Sequence, residues 1–306
     1  MIDRYDIAHE ISKMVSDDTS VSTDVSMKDK TSFHIGGCAD VFVEVASPND
    51  VIETTRFCKK NNVEVFVIGK GSNLLVADCG IRGVVIRIAS KMSDVSANDT
   101  VITAQAGASN AKVAKLAAGL GLSGYGFASG IPGTVGGSLR MNAGAYEHEM
   151  SDIVAEVTCL DRDLGVQTYV FKDEDFGYRN SRIAREGLVV LEASFQLTPE
   201  DPEKIRAEMR EMNLKRAAFQ PLGQPSAGSA FKRVQGVSAA ALIEQAGLKG
   251  FSVGGARVSE KHSGFIVNDG DATAADVRAL METIQKRVFG ETGIVLQPEI
   301  IMIGFE

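Results

Sequence analysis

The stretch Val41-Phe42-Val43-Glu44-Val45-Ala46-Ser47-Pro48-Asn49-Asp50, continued through residues 63–68 to Gly69-Lys70-Gly71-Ser72-Asn73, decides the fold. The apolar run from Val41 reads as a strand, because β-branched and aromatic residues suit a pleated, buried surface. A helix follows, with Ser47 as its cap, Pro48 at the first helical position and Asp50 in the capping-box place. A second strand over 63–68 ends at Gly69, which completes a β-α-β unit whose closing loop is glycine-rich. Downstream, residues 84–88, 101–105, 153–160, 167–171 and 188–197 read as strands, and 110–120 reads as a helix with Val113, Ala114, Leu116 and Ala117 on its apolar face. Asp201-Pro202-Glu203 opens a helix with Ile205, Met209 and Met212 on one side, and a domain boundary is expected there. Beyond it come a Pro/Gly loop over 220–228, a short helix over 238–246 stopped by Gly247, and a helix capped by Thr273 and Asp276 that runs to Gly290. A strand over 294–303 closes the chain. Strands and helices mix without strict alternation, so the fold class expected is α+β. Residues 1–30, rich in Ser, Asp and Thr, read as a short leading helix followed by a loosely held connector.

With 306 residues, two domains are expected. Apolar residues at 44% and charged residues at 24% exclude collagenous and wholly disordered classes. No run approaches the roughly 18 apolar residues of a membrane span, and the N-terminus lacks a signal-peptide pattern, so a cytoplasmic protein is expected. A net charge of −8 gives no global field toward nucleic acid or anionic membrane, so an anionic ligand must be held locally. Cys38, Cys58, Cys79 and Cys159 are spaced too widely for a zinc motif and read as small buried hydrophobes. The four histidines, His9, His34, His148 and His262, have no ligand-type spacing, and no metal is expected.

Nine of the 31 glycines fall between Gly119 and Gly144, a density that calls for positive φ or for close backbone approach. Gly69-Lys70-Gly71-Ser72 lacks P-loop spacing and Gly124-x-Gly126 lacks the third glycine of a dinucleotide fingerprint, so anion cradles and plain turns both stand. Gly250-Phe251-Ser252-Val253-Gly254 matches G-x-S-x-G, but Gly255 follows where a helix should start, which favours a glycine turn over a nucleophile elbow. Arg179, within Phe176-Gly177-Tyr178-Arg179-Asn180-Ser181-Arg182, reads either as a solvated turn or as a carboxylate clamp. Ser229 sits among small residues ahead of Lys232 and Arg233. Glu299 interrupts an apolar terminal run, where a charge is costly unless it is paired, used or turned to solvent.

Taken together and in this order, Gly69-Lys70-Gly71-Ser72-Asn73-Leu74, Gly130-Ile131-Pro132-Gly133-Thr134-Val135-Gly136-Gly137, Asn142-Ala143-Gly144-Ala145, Tyr178-Arg179-Asn180-Ser181, Gly228-Ser229-Ala230-Phe231-Lys232 and Gln297-Pro298-Glu299 resemble the UDP-N-acetylenolpyruvoylglucosamine reductase family. The resemblance runs from about Thr31 to the C-terminus. It implies a non-covalent FAD-binding region of the vanillyl-alcohol-oxidase type in two parts, about 31–75 and 76–200, then an α+β substrate-binding domain over 201–306, after a lead segment 1–30. It also implies a cytoplasmic monomer that uses NADPH as hydride donor and an enolpyruvyl UDP-sugar as substrate.

By the same resemblance, Arg179, Ser229 and Glu299 are catalytic: Arg179 stabilises an enolate, Ser229 donates a proton, and Glu299 holds or relays it. Gly69, Lys70, Gly71, Ser72, Asn73, Leu74, Gly130, Ile131, Pro132, Gly133, Thr134, Gly136, Gly137, Asn142 and Gly144 fall to the cofactor. Arg179, Lys232 and Arg233 fall to the substrate. Only about 50 residues separate Arg179 from Ser229, with no tyrosine-bearing insertion, which resembles the shorter second type of the family. Arg233-Val234 stands where many members have Asn-Pro, His34 where many have Arg or Lys, and Cys38 where many have Pro. Two other readings differ in what they require: a covalent-flavin oxidase needs a histidine such as His34 or His148 on the flavin, and a non-catalytic flavin module has no use for the triplet.

Overall fold

The computed structural model describes residues 3–172, 175–234 and 237–305. They form two compact units, each drawn from separate stretches: Met1–Thr23, Val41–Lys70 and Gly83–Arg216 make the first, and Asp24–Asp40, Gly71–Arg82 and Ala217–Glu306 make the second. The domains expected from the sequence are contiguous blocks meeting near residue 200, whereas the observed units interleave along the chain.

In the first unit, helix α1 (Arg4–Ser12) is followed by the strand Ser20–Ser26, which pairs at the edge of a four-stranded sheet. The expected loose connector is therefore ordered structure. Its alternating half-buried and exposed positions, too weakly apolar to announce a strand, acquire their meaning only from the neighbouring strand. The order in this sheet is Ser20–Ser26, Cys38–Glu44, Ile81–Arg87, Val65–Ile68, with Val65 opposite Val84 in parallel register. The two strands of the sequence-level β-α-β unit are thus separated by a third. Helix α2 (Pro48–Lys60) begins as expected, with the Ser47 hydroxyl accepting the Asp50 N–H. The carboxylate of Asp50, expected to close a capping box, serves other donors instead: buried, it accepts the Ser47 hydroxyl at 2.7 Å, the Ser16 N–H at 2.8 Å and the hydroxyls of Ser16 and Thr19, both at 2.9 Å.

A five-stranded antiparallel sheet follows in the order Val166–Val170, Val154–Leu160, Val189–Gln196, Val101–Gln105, Val95–Asn98. Helix α3 (Asn110–Gly119), capped by Ser109, and the short helix α4 (Val135–Arg140), capped by Thr134, bury their apolar faces in the same core as Ile86, Ile102, Val157 and Phe195. Helix α5 (Arg182–Glu186) ends at Gly187 with φ +66°. Helix α6 (Pro202–Phe219) starts where the boundary was expected, but Ile205 is buried and Met209 and Met212 pack on the first unit's core, and that unit runs on to Arg216.

The second unit has an antiparallel sheet ordered Ser226–Ser229, Phe265–Asn268, Ala256–Val258, Ser252–Val253. Its core gathers Phe33, Leu75, Ile243, Val258, Ile266, Val277 and Leu280, with helices α7 (Ala239–Gln245) and α8 (Ala274–Thr292) contributing one face each. Helix α8 passes through Gly290 and stops at Gly293, whose φ of +71° suits glycine. The expected terminal strand shrinks to Ile301–Ile303, parallel to Leu74–Val76, because Pro298 has no N–H to place in a ladder. Ser252 lies exposed in a hairpin that turns at Gly254, φ +54°, so the G-x-S-x-G match is a glycine turn and no elbow.

Candidate active site

Gly69 ends the strand Val65–Ile68, and a Cβ there would stand 2.4 Å from the Thr134 Oγ1, so only a glycine lets the two segments meet. Thr134 is buried, bridges to Ser109 and accepts the Gly137 N–H at 3.4 Å. The 69–70 and 130–137 segments of the first unit are in this way held together around one threonine. Gly133 sits at φ +137°. The amides of Val135 and Gly136, in contrast, are both turned inward, to Ala108 O and Ala106 O at 2.9 Å. A Cβ on Gly136 would lie 3.1 Å from that of Ala106, so this glycine, expected at the cofactor, serves the packing of α4 on the sheet. Ile131 is held by Asn110, whose Nδ2 donates to its carbonyl at 3.2 Å. Lys70 and Pro132 are exposed.

Arg179 occupies the turn between the paired residues Phe176–Gly177 and Asn180–Ser181, at φ +52°, a region that costs a side-chain-bearing residue about 1 kcal/mol or more. Its guanidinium donates to Asn142 O at 3.3 Å and to Gly144 O at 3.2 Å, and its Cζ lies 4.8 Å from the centre of the Tyr178 ring. Asn142, also expected at the cofactor, is fully buried: its amide donates to Gly177 O at 3.3 Å and its Oδ1 accepts the Ser151 N–H at 3.0 Å. Its side chain ties down the hairpin that carries Arg179. A Cβ on Gly144 would clash with His148 O at 2.5 Å, so this glycine closes the adjacent two-residue hairpin.

In the second unit, Gly71 is buried at φ +67° against Lys30 O, and its own carbonyl accepts the Ser32 N–H. Asn73 donates from Nδ2 to Glu299 O at 3.1 Å, while its carbonyl accepts the Ile301 N–H at 3.0 Å; Leu74 then enters the strand. Ser72 is half-buried. The strand Ser226–Ser229 shifts register between its ends, with Gly228 at φ +78° at the irregularity. Immediately beyond, Glu299 N–H donates to Ala230 O at 2.9 Å and Lys232 N–H to Gln297 O at 2.8 Å, with Phe231 bridging Pro298. Ser229, Lys232 and Glu299, spread over 70 residues of sequence, are therefore neighbours along one short pairing. Glu299 is half-buried and clamped on both sides of its backbone; it does not lie on an alternating strand. Arg233 is exposed.

One residue escaped the sequence reading. Arg216, near the end of α6, lies with its Cδ 3.2 Å from where a Gly130 Cβ would be, and its buried Nε has no hydrogen-bond partner. Burial pushes the guanidinium below the usual arginine value, while the nearby Tyr146 phenol acts the other way. Among the described residues no carboxylate pairs with it. A cation left this way is costly unless an anion completes it. On a helix of alternating charges its periodicity reads as one more solvated position.

Residues 39–167 match the family model described as FAD binding domain, and residues 220–303 match that described as UDP-N-acetylenolpyruvoylglucosamine reductase, C-terminal domain. These two matches define the class, a flavoprotein with an FAD-binding region followed by a second domain. Two similar curated proteins are the UDP-N-acetylenolpyruvoylglucosamine reductases of Agathobacter rectalis, 46% identical over 92% of this chain and 93% of that one, and of Clostridium novyi, 41% identical over 100% and 99%. Among solved structures, the UDP-N-acetylenolpyruvylglucosamine reductase of Thermus caldophilus superposes with a TM-score of 0.80 at 34% identity, covering 93% of this chain and 99% of that one. The chain belongs to the UDP-N-acetylenolpyruvoylglucosamine reductase family.

Proposed function

We propose that the chain reduces UDP-N-acetylenolpyruvoylglucosamine to UDP-N-acetylmuramate with NADPH, in the synthesis of peptidoglycan precursors. The observation that carries this reading is the backbone pairing of residues 230–232 with 297–299, which brings Lys232 and Glu299 together next to Ser229 along the chain. The residues present fit FAD. Neither glycine-rich segment, 69–74 or 130–137, contains an acid, Gly69 and Gly133 keep the backbone open, and the unsatisfied Arg216 beside Gly130 offers a positive charge to a diphosphate. Gly69, Lys70, Gly71, Ser72, Asn73, Leu74, Gly130, Ile131, Pro132, Gly133, Thr134 and Gly137 are the residues proposed to hold it. When bound, FAD supplies the hydride chemistry, accepting from NADPH and delivering to the vinyl carbon of the enolpyruvyl ether.

Hydride delivery there leaves negative charge shared between the adjacent carbon and the carboxylate. The Arg179 guanidinium, pre-positioned by two carbonyls, stabilises that enolate; one such donor is typically worth about 10²–10³ in rate. Ser229 donates its hydroxyl proton to the carbon, a transfer worth about 10²–10⁴ when positioned. A neutral hydroxyl suffices because the carbanion-like acceptor is far more basic than water. Glu299 holds or relays the replacement proton, and Lys232 and Arg233 bind phosphate of substrate or NADPH. The absence of an inserted tyrosine-bearing segment between Arg179 and Ser229 supports the shorter second type. A monomer working in the cytoplasm fits the reading, and among the described residues no helix is long and apolar enough to cross a membrane.

The test follows flavin absorbance anaerobically. Bleaching on addition of NADPH, then recovery only on addition of the enolpyruvyl UDP-sugar, is expected. A protein that takes up no FAD overturns the reading. A flavin bleached by NADPH but indifferent to that sugar assigns the chain a different oxidant.

A further inference from the structure

Of the four cysteines expected to be buried, Cys58 and Cys159 are, and burial pushes both thiols up to about 12. Cys38 and Cys79 are instead exposed, and both belong to the second unit. The backbones of the segments that carry them touch. A Cβ on Gly80 would stand 2.0 Å from Cys38 O and 2.8 Å from Cys38 N, and one on Gly37 would stand 2.3 Å from Asp78 O and 2.6 Å from Gly80 N. Segments 37–38 and 78–80 thus run against each other with no side chain between them, and Gly80, at φ +84°, is what permits it. Arg82 spans the junction, its Nη2 donating to Cys38 O at 3.2 Å and to Cys79 O at 2.9 Å while its Nη1 pairs with Asp40 at 2.6 Å. Cys79 Cα is one peptide, about 3.8 Å, from the Gly80 Cα. The two cysteines thus stand on abutting segments whose carbonyls share one guanidinium, the juxtaposition that a disulfide, with bridged Cα atoms about 4.4–6.8 Å apart, requires.

We infer that Cys38 and Cys79 form a reversible dithiol, a site of oxidation that closes to an intramolecular disulfide under a thiol oxidant such as glutathione disulfide. One cysteine thiolate attacks the oxidant and releases one glutathione thiol, leaving a mixed disulfide. The second cysteine attacks the protein sulfur of that mixed disulfide and releases the other glutathione. Two cysteine thiols are oxidised to one disulfide, and one glutathione disulfide is reduced to two thiols. The Cys79 Sγ, now donating to Gly304 O at 3.3 Å, exchanges that contact for a covalent link. The link would fasten the start of strand Cys38–Glu44 to the segment Gly71–Arg82, whose first four residues are the second half of the proposed cofactor loop. Exposed disulfides of this kind are the readily reduced, responsive ones.

The experiment treats the flavin-loaded full chain with glutathione disulfide and follows native thiol titration, intact mass and a non-reducing peptide map. The expected result is loss of two accessible thiols, a mass lower by two hydrogens, a Cys38–Cys79 linked peptide, and full reversal by dithiothreitol. Cys38→Ser and Cys79→Ser should each retain one glutathione instead. Stable glutathione adducts on both cysteines of the unaltered chain, or two thiols that stay free, overturn the inference.

Discussion

Ser229→Ala removes one hydroxyl beside the pairing of 230–232 with 297–299 and leaves its backbone bonds in place. The variant should bind flavin and be bleached by NADPH normally, while reoxidation by the enolpyruvyl sugar slows by about 10²–10⁴ in stopped-flow absorbance. Normal turnover would remove Ser229 from the mechanism. Arg216→Met keeps the stem that packs near Gly130 and deletes the unsatisfied charge. A hydrogen bond from a charged group is worth about 1.5–3 kcal/mol. The flavin dissociation constant should therefore rise by about 10–100-fold with little change in melting temperature; an unchanged flavin affinity would leave Arg216 without a ligand role. Both residues are charged or polar single letters in the sequence, but only Ser229 stands in a motif. Arg216 becomes noticeable when burial removes its partners, a property no local pattern encodes. Asn142 shows the reverse case: its motif drew attention to the cofactor, and its buried amide holds the Arg179 hairpin.

At the scale of elements, helix α2 carries the clearest pH dependence. Burial by itself would raise the Asp50 pKa, but hydrogen bonds from the Ser16 N–H and from the Ser47, Thr19 and Ser16 hydroxyls outweigh it and hold the carboxyl below its usual value. A carboxyl depressed in the folded state contributes stability that is present above its unfolded pKa of about 3.9 and is lost as pH falls through the folded value. Asp50→Asn should accordingly lose about 1.5–3 kcal/mol at neutral pH and show a flatter loss of urea stability below about pH 4. A parallel acid limb in both proteins would deny Asp50 that part. The cap itself, Ser47 and Pro48, was legible because its partners lie within three residues. Ser16 and Thr19 were not, because they approach from 34 and 31 residues away. The same distinction explains the terminal strand, where apolar composition suggested ten residues and Pro298 with its neighbours left three.

On the scale of the whole molecule, each unit borrows chain from elsewhere. The second unit's core includes Phe33, Ile35 and Leu75, its strand Ile301–Ile303 pairs with Leu74–Val76, and Asn268 donates to Phe33 O at 3.2 Å. A fragment of residues 217–306 lacks all of these, so it should show no cooperative urea transition by circular dichroism, whereas the full chain should. A cooperative fragment would mean that the borrowed segments are dispensable. What the sequence by itself determined was local: the helix caps, the strand and helix types, the glycine-rich segments and the order of motifs that mark the family, since each depends on residues a few positions apart. The tertiary structure decided which strand pairs with which, which glycines serve packing, which cysteines are exposed, and that Ser229, Lys232 and Glu299 are neighbours. Those outcomes depend on burial and on partners far away along the chain, which exist only once the two cores have formed.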